Sequence, residues 1–155
     1  MKCAVFDLDG VLIDVSERLA RCLKESGGRK DRVFWNCFLS SKYMYLDKPN
    51  TELVEYVRKL KQLGYRIIIV TGRRRDTQLD ATIAQLRAFG VPFDELYMRE
   101  PNDYRKDHEF KTDIVKRLLE KGYEITEVWD DSERVVEAMK KLLQNAKVVH
   151  YQSNT

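Results

Sequence analysis

Four short stretches of this chain carry residue types suited to phosphate and metal chemistry: Asp7-Leu8-Asp9-Gly10, Thr71-Gly72-Arg73, Asp107 with Lys111, and Asp130-Asp131-Ser132. Carboxylates brought this close repel one another and resist joint ionisation unless a cation offsets them. The set offers oxygen ligands without histidine or thiolate, which suits Mg²⁺, an ion that commonly bridges one or two carboxylates and a substrate phosphate. The Thr71 hydroxyl, the Lys111 ammonium and a glycine-flanked turn supply donors for phosphate oxygens. One aspartate can attack phosphorus and form an aspartyl-phosphate that water later cleaves. A second, two residues on, can protonate the leaving alkoxide and then activate that water.

Taken singly, each stretch has an ordinary explanation. Asp-x-Asp after an apolar run is a polar loop, Thr-Gly-Arg is a turn, and Asp130-Asp131-Ser132 caps the next helix through Ser132 or Asp131. A calcium loop is excluded, because Val11 occupies the third ligand position and the glycine comes too early. The signal is the combination, with each stretch at the end of an expected strand.

Those strands are short apolar runs at Cys3–Phe6, Ile67–Val70, Leu96–Met98, Ile125–Trp129 and Val148–Tyr151. Helical stripes lie between them: Leu53, Val54, Val57, Leu60 and Leu63; Phe110, Ile114, Val115, Leu118 and Leu119; Val135, Val136, Met139, Leu142 and Leu143. Gly64, Gly90 and Gly122 fall where helices should stop. Single helices alternating with strands predict a doubly wound α/β domain, its parallel sheet covered on both faces. In such sheets ligands bind beyond the carboxyl ends of the strands, which is where the four stretches fall.

Residues 15–50 break the rhythm and predict a small helical insert over the sheet edge, within one domain spanning residues 1–155. The insert is basic: Arg18, Arg21, Lys24, Arg29, Lys30 and Arg32 face only Glu25 and Asp31, in a chain whose net charge is +3. Together with Arg73-Arg74-Arg75 this suits either solvated faces or an anionic substrate. The aromatic segment Val33-Phe34-Trp35-Asn36-Cys37-Phe38-Leu39 is read as packing of the insert onto the body in preference to a base-stacking surface. With 43% hydrophobic and 34% charged residues, composition argues against disorder. Apolar runs fall far short of the roughly 20 residues that cross a bilayer, and Asp7 comes too early for a signal peptide. Cys3, Cys22 and Cys37 fit no metal spacing and predict reduced thiols in a cytoplasm.

These residues resemble a known family. Phe6-Asp7-Leu8-Asp9-Gly10-Val11-Leu12 is similar to the first motif of the haloacid dehalogenase (HAD) superfamily, Thr71-Gly72-Arg73 to its second and Asp130-Asp131 to its fourth. The resemblance implies a Rossmann-like three-layer α/β/α fold, and Asp9 in place of a non-acidic residue points to its phosphotransferase members. A narrower similarity, to the phosphatase half of phage-type polynucleotide kinase-phosphatases, rests on Met98-Arg99, Asp103, Arg105, Asp107, Lys111, Arg18, and the Phe34-Trp35 and Asp47-Lys48-Pro49 segment.

By that resemblance Asp7 is the nucleophile and a Mg²⁺ ligand, while Asp9 is the general acid and base with its backbone carbonyl on the metal. Thr71, Gly72 and Lys111 bind the transferring phosphoryl group, Asp130 holds Mg²⁺ and Asp131 supports it. Arg18, Arg73 and Asp107 orient the substrate and Lys111, with Lys106 a competitor for the lysine role. Position 11 is valine where many relatives have threonine. No Gly-x-x-x-x-Gly-Lys-Ser/Thr loop occurs in the sequence, so no kinase half is expected within it.

The expected activity is a Mg²⁺-dependent phosphomonoesterase removing 3′-phosphate from nucleic-acid ends. The alternative is a phosphatase of free nucleotides or other small phosphate esters. Expected partners are the phosphorylated end or nucleotide and a separate kinase or ligase, with no membrane; the sequence leaves the oligomeric state open. A signalling receiver domain is disfavoured by the Asp-x-Asp on the first strand, and a non-catalytic nucleic-acid-binding module by the full acidic set.

Overall fold

The computed structural model describes residues 1–151. Strand β1 (Lys2–Phe6) runs first and lies at the centre of a five-stranded sheet, between β4 (Arg66–Arg74) and β6 (Glu124–Asp130). Strands β5 (Glu95–Arg99) and β7 (Lys147–His150) form the edges, giving the order β5-β4-β1-β6-β7. Every neighbouring pair is parallel. The chain therefore folds as the expected Rossmann-like α/β/α domain.

Alternate residues of the central strands enter different cores, as a period of two requires. Ala4, Phe6, Ile67 and Ile69 face helix α3 (Thr51–Gln62) and Leu86 of α4 (Arg75–Ala88). Cys3, Val5, Ile68 and Val70 face α5 (Asp107–Glu120) and α6 (Glu133–Leu142). Burying each large aliphatic side chain contributes roughly 1.5–3 kcal/mol. Gly64, Gly90 and Gly122 all have positive φ, closing α3, α4 and α5 at the anticipated places. Leu63 departs from its stripe: it follows the last turn of α3 and is 74% exposed.

The insert region holds α1 (Ser16–Glu25), α2 (Arg32–Phe38), a 3₁₀ turn at Met44–Leu46, and a two-stranded ribbon of β2 (Ile13–Asp14) with β3 (Lys48–Pro49). Cys22 of α1 and Cys37 of α2 form a disulfide, so only Cys3 is a free thiol. This corrects the expectation of three reduced cysteines: the α1–α2 hairpin brings together two residues whose spacing matches no recognisable motif. The thiol-based argument for a cytoplasmic location loses its footing at these two positions. No helix among the described residues is long and apolar enough to cross a membrane.

Helix α4 shows no apolar stripe, and its buried face is largely polar: Gln78, Thr82 and Gln85 beside Leu86. The strand before it is longer than its apolar run suggested. Thr71-Gly72-Arg73 lies within β4, at an irregularity in its pairing with β5 between Thr71 and Arg74.

Candidate active site

Because β1 is central, Asp7 emerges at the middle of the sheet's carboxyl edge, with Thr71 on one side and Asp130 on the other. The Asp7 backbone N–H still donates to the Trp129 carbonyl, so β1 pairing runs up to the Asp7 carboxylate. The Leu8 N–H donates to Asp7 Oδ1 at 2.8 Å, leaving Oδ2 toward Lys111 Nζ at 3.2 Å. Lys111 also meets Asp107 Oδ2 at 3.1 Å, one turn earlier on α5, and Asp130 Oδ2 at 2.8 Å. The Ser132 N–H donates to Asp130 Oδ1 at 2.9 Å, and the Ser132 hydroxyl caps α6 by accepting from the Val135 N–H.

One ammonium thus serves three carboxylates, and Asp131 adds a fourth nearby. Burial pushes the Asp7 carboxyl well above its ordinary range; Lys111 opposes this, while Asp130, Asp131 and Asp107 add to it. Asp131 is raised by burial and by Asp130. Burial alone would lower Lys111, but Asp7, Asp130 and Asp107 drive it well above its usual value and keep it charged. Carboxylate oxygens of Asp7, Asp130 and Asp131 lie within 4.8 Å of one another. An oxygen-only cluster short of positive charge fits a hard divalent cation. The Asp131 carboxylate therefore stands inside the cluster rather than behind it, and the Asp9 side chain stands outside.

Asp9 belongs to a second network. Its Oδ1 accepts from Arg73 Nε at 2.9 Å and Arg18 Nη2 at 3.1 Å. Both arginines also hold Asp47, through Arg18 Nε at 3.1 Å and Arg73 Nη2 at 3.3 Å. The Arg73 Nη1 donates to Thr82 Oγ1 and Gln85 Oε1, and Gln85 Nε2 donates to Asp47 Oδ2 and the Met44 carbonyl. Thr82 and Gln85 on the polar face of α4 thus satisfy the Arg73 guanidinium, since an unpaired buried charge is costly. Burial alone would raise the Asp9 carboxyl; Arg73 and Arg18 override it and hold the group below its ordinary value.

Two glycines make the close approaches possible. Gly10 has φ +81°, and a Cβ there would meet Asp131 Oδ2 at 2.4 Å. At Gly72 a Cβ would stand 3.0 Å from Asp107 Oδ1.

Asp7, Asp9, Thr71, Gly72, Arg73, Asp107, Lys111 and Asp131 line one cleft of about 570 Å³, and Asp130 lies buried beside it. The Thr71 hydroxyl accepts from the Arg73 N–H at 3.2 Å. Arg18 is brought to Asp9 but is fully buried and does not line the cleft, and Arg73 is almost as deeply buried. Both guanidiniums are paired with Asp9 and Asp47. Lys106 is exposed at the start of α5, outside the carboxylate cluster.

Sequence reasoning missed Asp47, Thr82 and Gln85 as partners of the arginines. The one available signal was a helix between parallel strands with glutamines and threonine where an apolar stripe was due. It also favoured packing over a base-stacking surface for the aromatic segment. Phe34 does pack, beside the disulfide, but Trp35 is 44% exposed and lines the cleft with Phe38 and Leu39.

A first strand ending in an aspartate, flanked by a threonine and an acidic pair, with a lysine bridging the carboxylates, is the arrangement of a HAD-type phosphatase domain. Residues 1–152 match the model of the polynucleotide kinase PNKP phosphatase domain, and the chain belongs to that family. Two chains from solved structures of the Pnkp1/Rnl/Hen1 complex, one described as an RNA repair complex, are similar to it. One has 26% identity and a TM-score of 0.73, covering 97% of this chain and 45% of that one. The other has 25% identity and a TM-score of 0.74, covering 99% and 42%. This chain thus spans less than half the length of either. A phosphoserine phosphatase, solved as an analogue of its phospho-aspartyl intermediate, shares the fold at 14% identity and a TM-score of 0.60, covering 97% of this chain and 94% of that one.

Proposed function

We propose that the chain is a Mg²⁺-dependent phosphomonoesterase that removes 3′-phosphate from nucleic-acid ends through an aspartyl-phosphate. The observation that carries the reading is the buried Asp7 carboxylate lining a cleft, anchored through Oδ1 and facing Lys111 through Oδ2. Asp7, Asp130, Asp131 and the backbone carbonyl of Asp9 would hold Mg²⁺, which would neutralise negative charge on the phosphoryl oxygens when bound. The remaining chemistry belongs to the chain's own residues.

An Asp7 carboxylate oxygen attacks phosphorus, and the bond from phosphorus to the ester oxygen breaks. The departing alkoxide takes a proton from the Asp9 carboxyl. Water then attacks the acyl phosphate and gives its proton to the Asp9 carboxylate; the phosphorus–oxygen bond to Asp7 breaks and the nucleophile is restored. Donors from Lys111, Thr71 and the backbone at Gly72 stabilise the charge that grows on the phosphoryl oxygens. Arg18 and Arg73 favour the ionised Asp9 that receives the second proton, so the first step needs Asp9 protonated against their pull. Asp107 holds Lys111 in place from one helical turn away.

The similarity to the Pnkp1/Rnl/Hen1 chains supports a nucleic-acid end as substrate and separate repair enzymes as partners. The test measures inorganic phosphate released from a 3′-phosphorylated oligonucleotide, a 3′-mononucleotide and a 5′-mononucleotide, each with Mg²⁺ and with EDTA. The expected result is preference for the oligonucleotide, lost in EDTA and weakened by salt as phosphate contacts are screened. Preference for either mononucleotide would move the substrate to free nucleotides. No release from any of the three would overturn the reading.

A further inference from the structure

The cleft has two unlike walls. One carries the carboxylates and Lys111; the other comes from the insert and presents Val15, Leu19, Trp35, Phe38 and Leu39. Its volume of about 570 Å³ exceeds what a phosphoryl group needs and falls in the range that seats a small organic ligand. Trp35, 44% exposed, continues the apolar surface of this wall with Leu19, Phe38 and Leu39 rather than filling the core.

The wall is also held in register with the chemistry. Trp35 meets buried Phe34 edge-on with centroids 4.8 Å apart, and Phe34 stacks on Phe38 at 5.4 Å. The Arg18 guanidinium lies 4.4 Å from the Phe38 ring centroid while donating to Asp9 at 3.1 Å. The Cys22–Cys37 disulfide ties together the helices that carry Arg18 and Trp35. Lys30, at the same rim, adds an exposed positive charge beside the aromatic ring of Phe34.

We propose that this wall is a nucleobase subsite: the base on the phosphorylated terminal sugar lies against Trp35, and Lys30 meets the next phosphate along the strand. The proposal rests on the reading above and gives it a substrate class, phosphomonoesters that carry a base. The insert wall is apolar and offers a face rather than a pattern of donors and acceptors, so it grips any base by stacking and distinguishes base from no base. The position of Trp35 on the wall of the cleft that holds Asp7 favours a substrate base over a docked protein segment.

The experiment compares a 3′-phosphorylated oligonucleotide with the same oligonucleotide whose terminal 3′-phosphorylated sugar lacks its base. Steady-state phosphate release is measured for the wild type, Trp35→Ala and Trp35→Phe, with thermal melting as the check on folding. In the wild type, kcat/KM should favour the base-bearing end by about tenfold or more, the size expected of one base–aromatic stack. Trp35→Ala should collapse that ratio through a higher KM for the base-bearing end, and Trp35→Phe should retain most of it. Equal wild-type rates on the two ends, an unchanged ratio in Trp35→Ala, or an equal loss on both substrates would each overturn the subsite alone. Release from neither oligonucleotide would instead overturn the reading on which the subsite rests.

Discussion

Two clusters of buried charge stand side by side at the carboxyl edge of this sheet, and they are balanced in opposite ways. In the lattice of Asp9, Asp47, Arg18 and Arg73, two carboxylates meet two guanidiniums, with Thr82 and Gln85 satisfying further polar atoms. In the cluster of Asp7, Asp107, Asp130 and Asp131, the Lys111 ammonium meets three of the four carboxylates, and Arg99 adds a second contact at Asp107 alone. The first network is complete within the protein, so it can act as a fixed frame for Asp9 and, through Phe38, for the aromatic wall. The second is short of positive charge. That deficit gives a cation and a phosphoryl group something to complete.

The largest effect should come from the incomplete cluster. Asp7→Asn should lower kcat for phosphate release by at least about a thousandfold, as loss of a nucleophile does, while the protein stays folded. A folded variant with near-normal turnover would remove Asp7 from the nucleophile's role. Next in size is a pair of stability changes that separates the two networks. The Asp47 side chain is fully buried, and Asp47→Asn leaves two guanidiniums short of a counter-charge. The cost should be about 3–5 kcal/mol, or about 10 °C in melting temperature. Lys111→Met should destabilise the metal-free protein by a similar amount, because Asp7 and Asp130 lose their one cation. Mg²⁺ should restore much of that loss in Lys111→Met and little of it in Asp47→Asn. Thermal melting with Mg²⁺ and with EDTA distinguishes them, and equal rescue of both variants would erase the contrast.

The incomplete cluster was largely legible in the sequence, and the complete lattice was not. Asp7, Thr71 and Asp130 each follow a short apolar run, so a parallel sheet delivers them to one edge whatever the details of packing. Lys111 was placed on the helix after the third strand, and the family resemblance, with that placement, favoured it over Lys106. The lattice depends on contacts with no such period: Asp47 reaches Arg18 and Arg73 across the insert, and Gln85 approaches from a helix without an apolar stripe. Arg18 stood in a run of basic residues, where only the family resemblance set it apart from its exposed neighbours, and it is the one fully buried. The Cys22–Cys37 bond and the exposure of Trp35 were hidden for the same reason, since both depend on how α2 lies against α1.

The smallest expected effect tests the same contrast through pH. Burial raises Asp7 well above the ordinary aspartate value of 3.8, Lys111 opposes this, and the neighbouring carboxylates add to it. In the window between 3.8 and its raised value, the folded state therefore holds more protons at Asp7 than the unfolded chain, and stability falls as pH rises. Asp9 has the opposite sign: burial is overridden by Arg73 and Arg18, its value lies below 3.8, and its stabilising contribution is complete above that point. In EDTA, the stability of the wild type relative to Asp7→Asn should thus improve as pH falls from about 8 to about 4.5. The difference between the wild type and Asp9→Asn should stay flat over that range. Mg²⁺ should abolish the Asp7 trend, because the cation favours the ionised carboxylate whose burial otherwise costs stability. A parallel trend in both variants would mean that the two aspartates share one electrostatic environment, and the division into a complete and an incomplete network would fail.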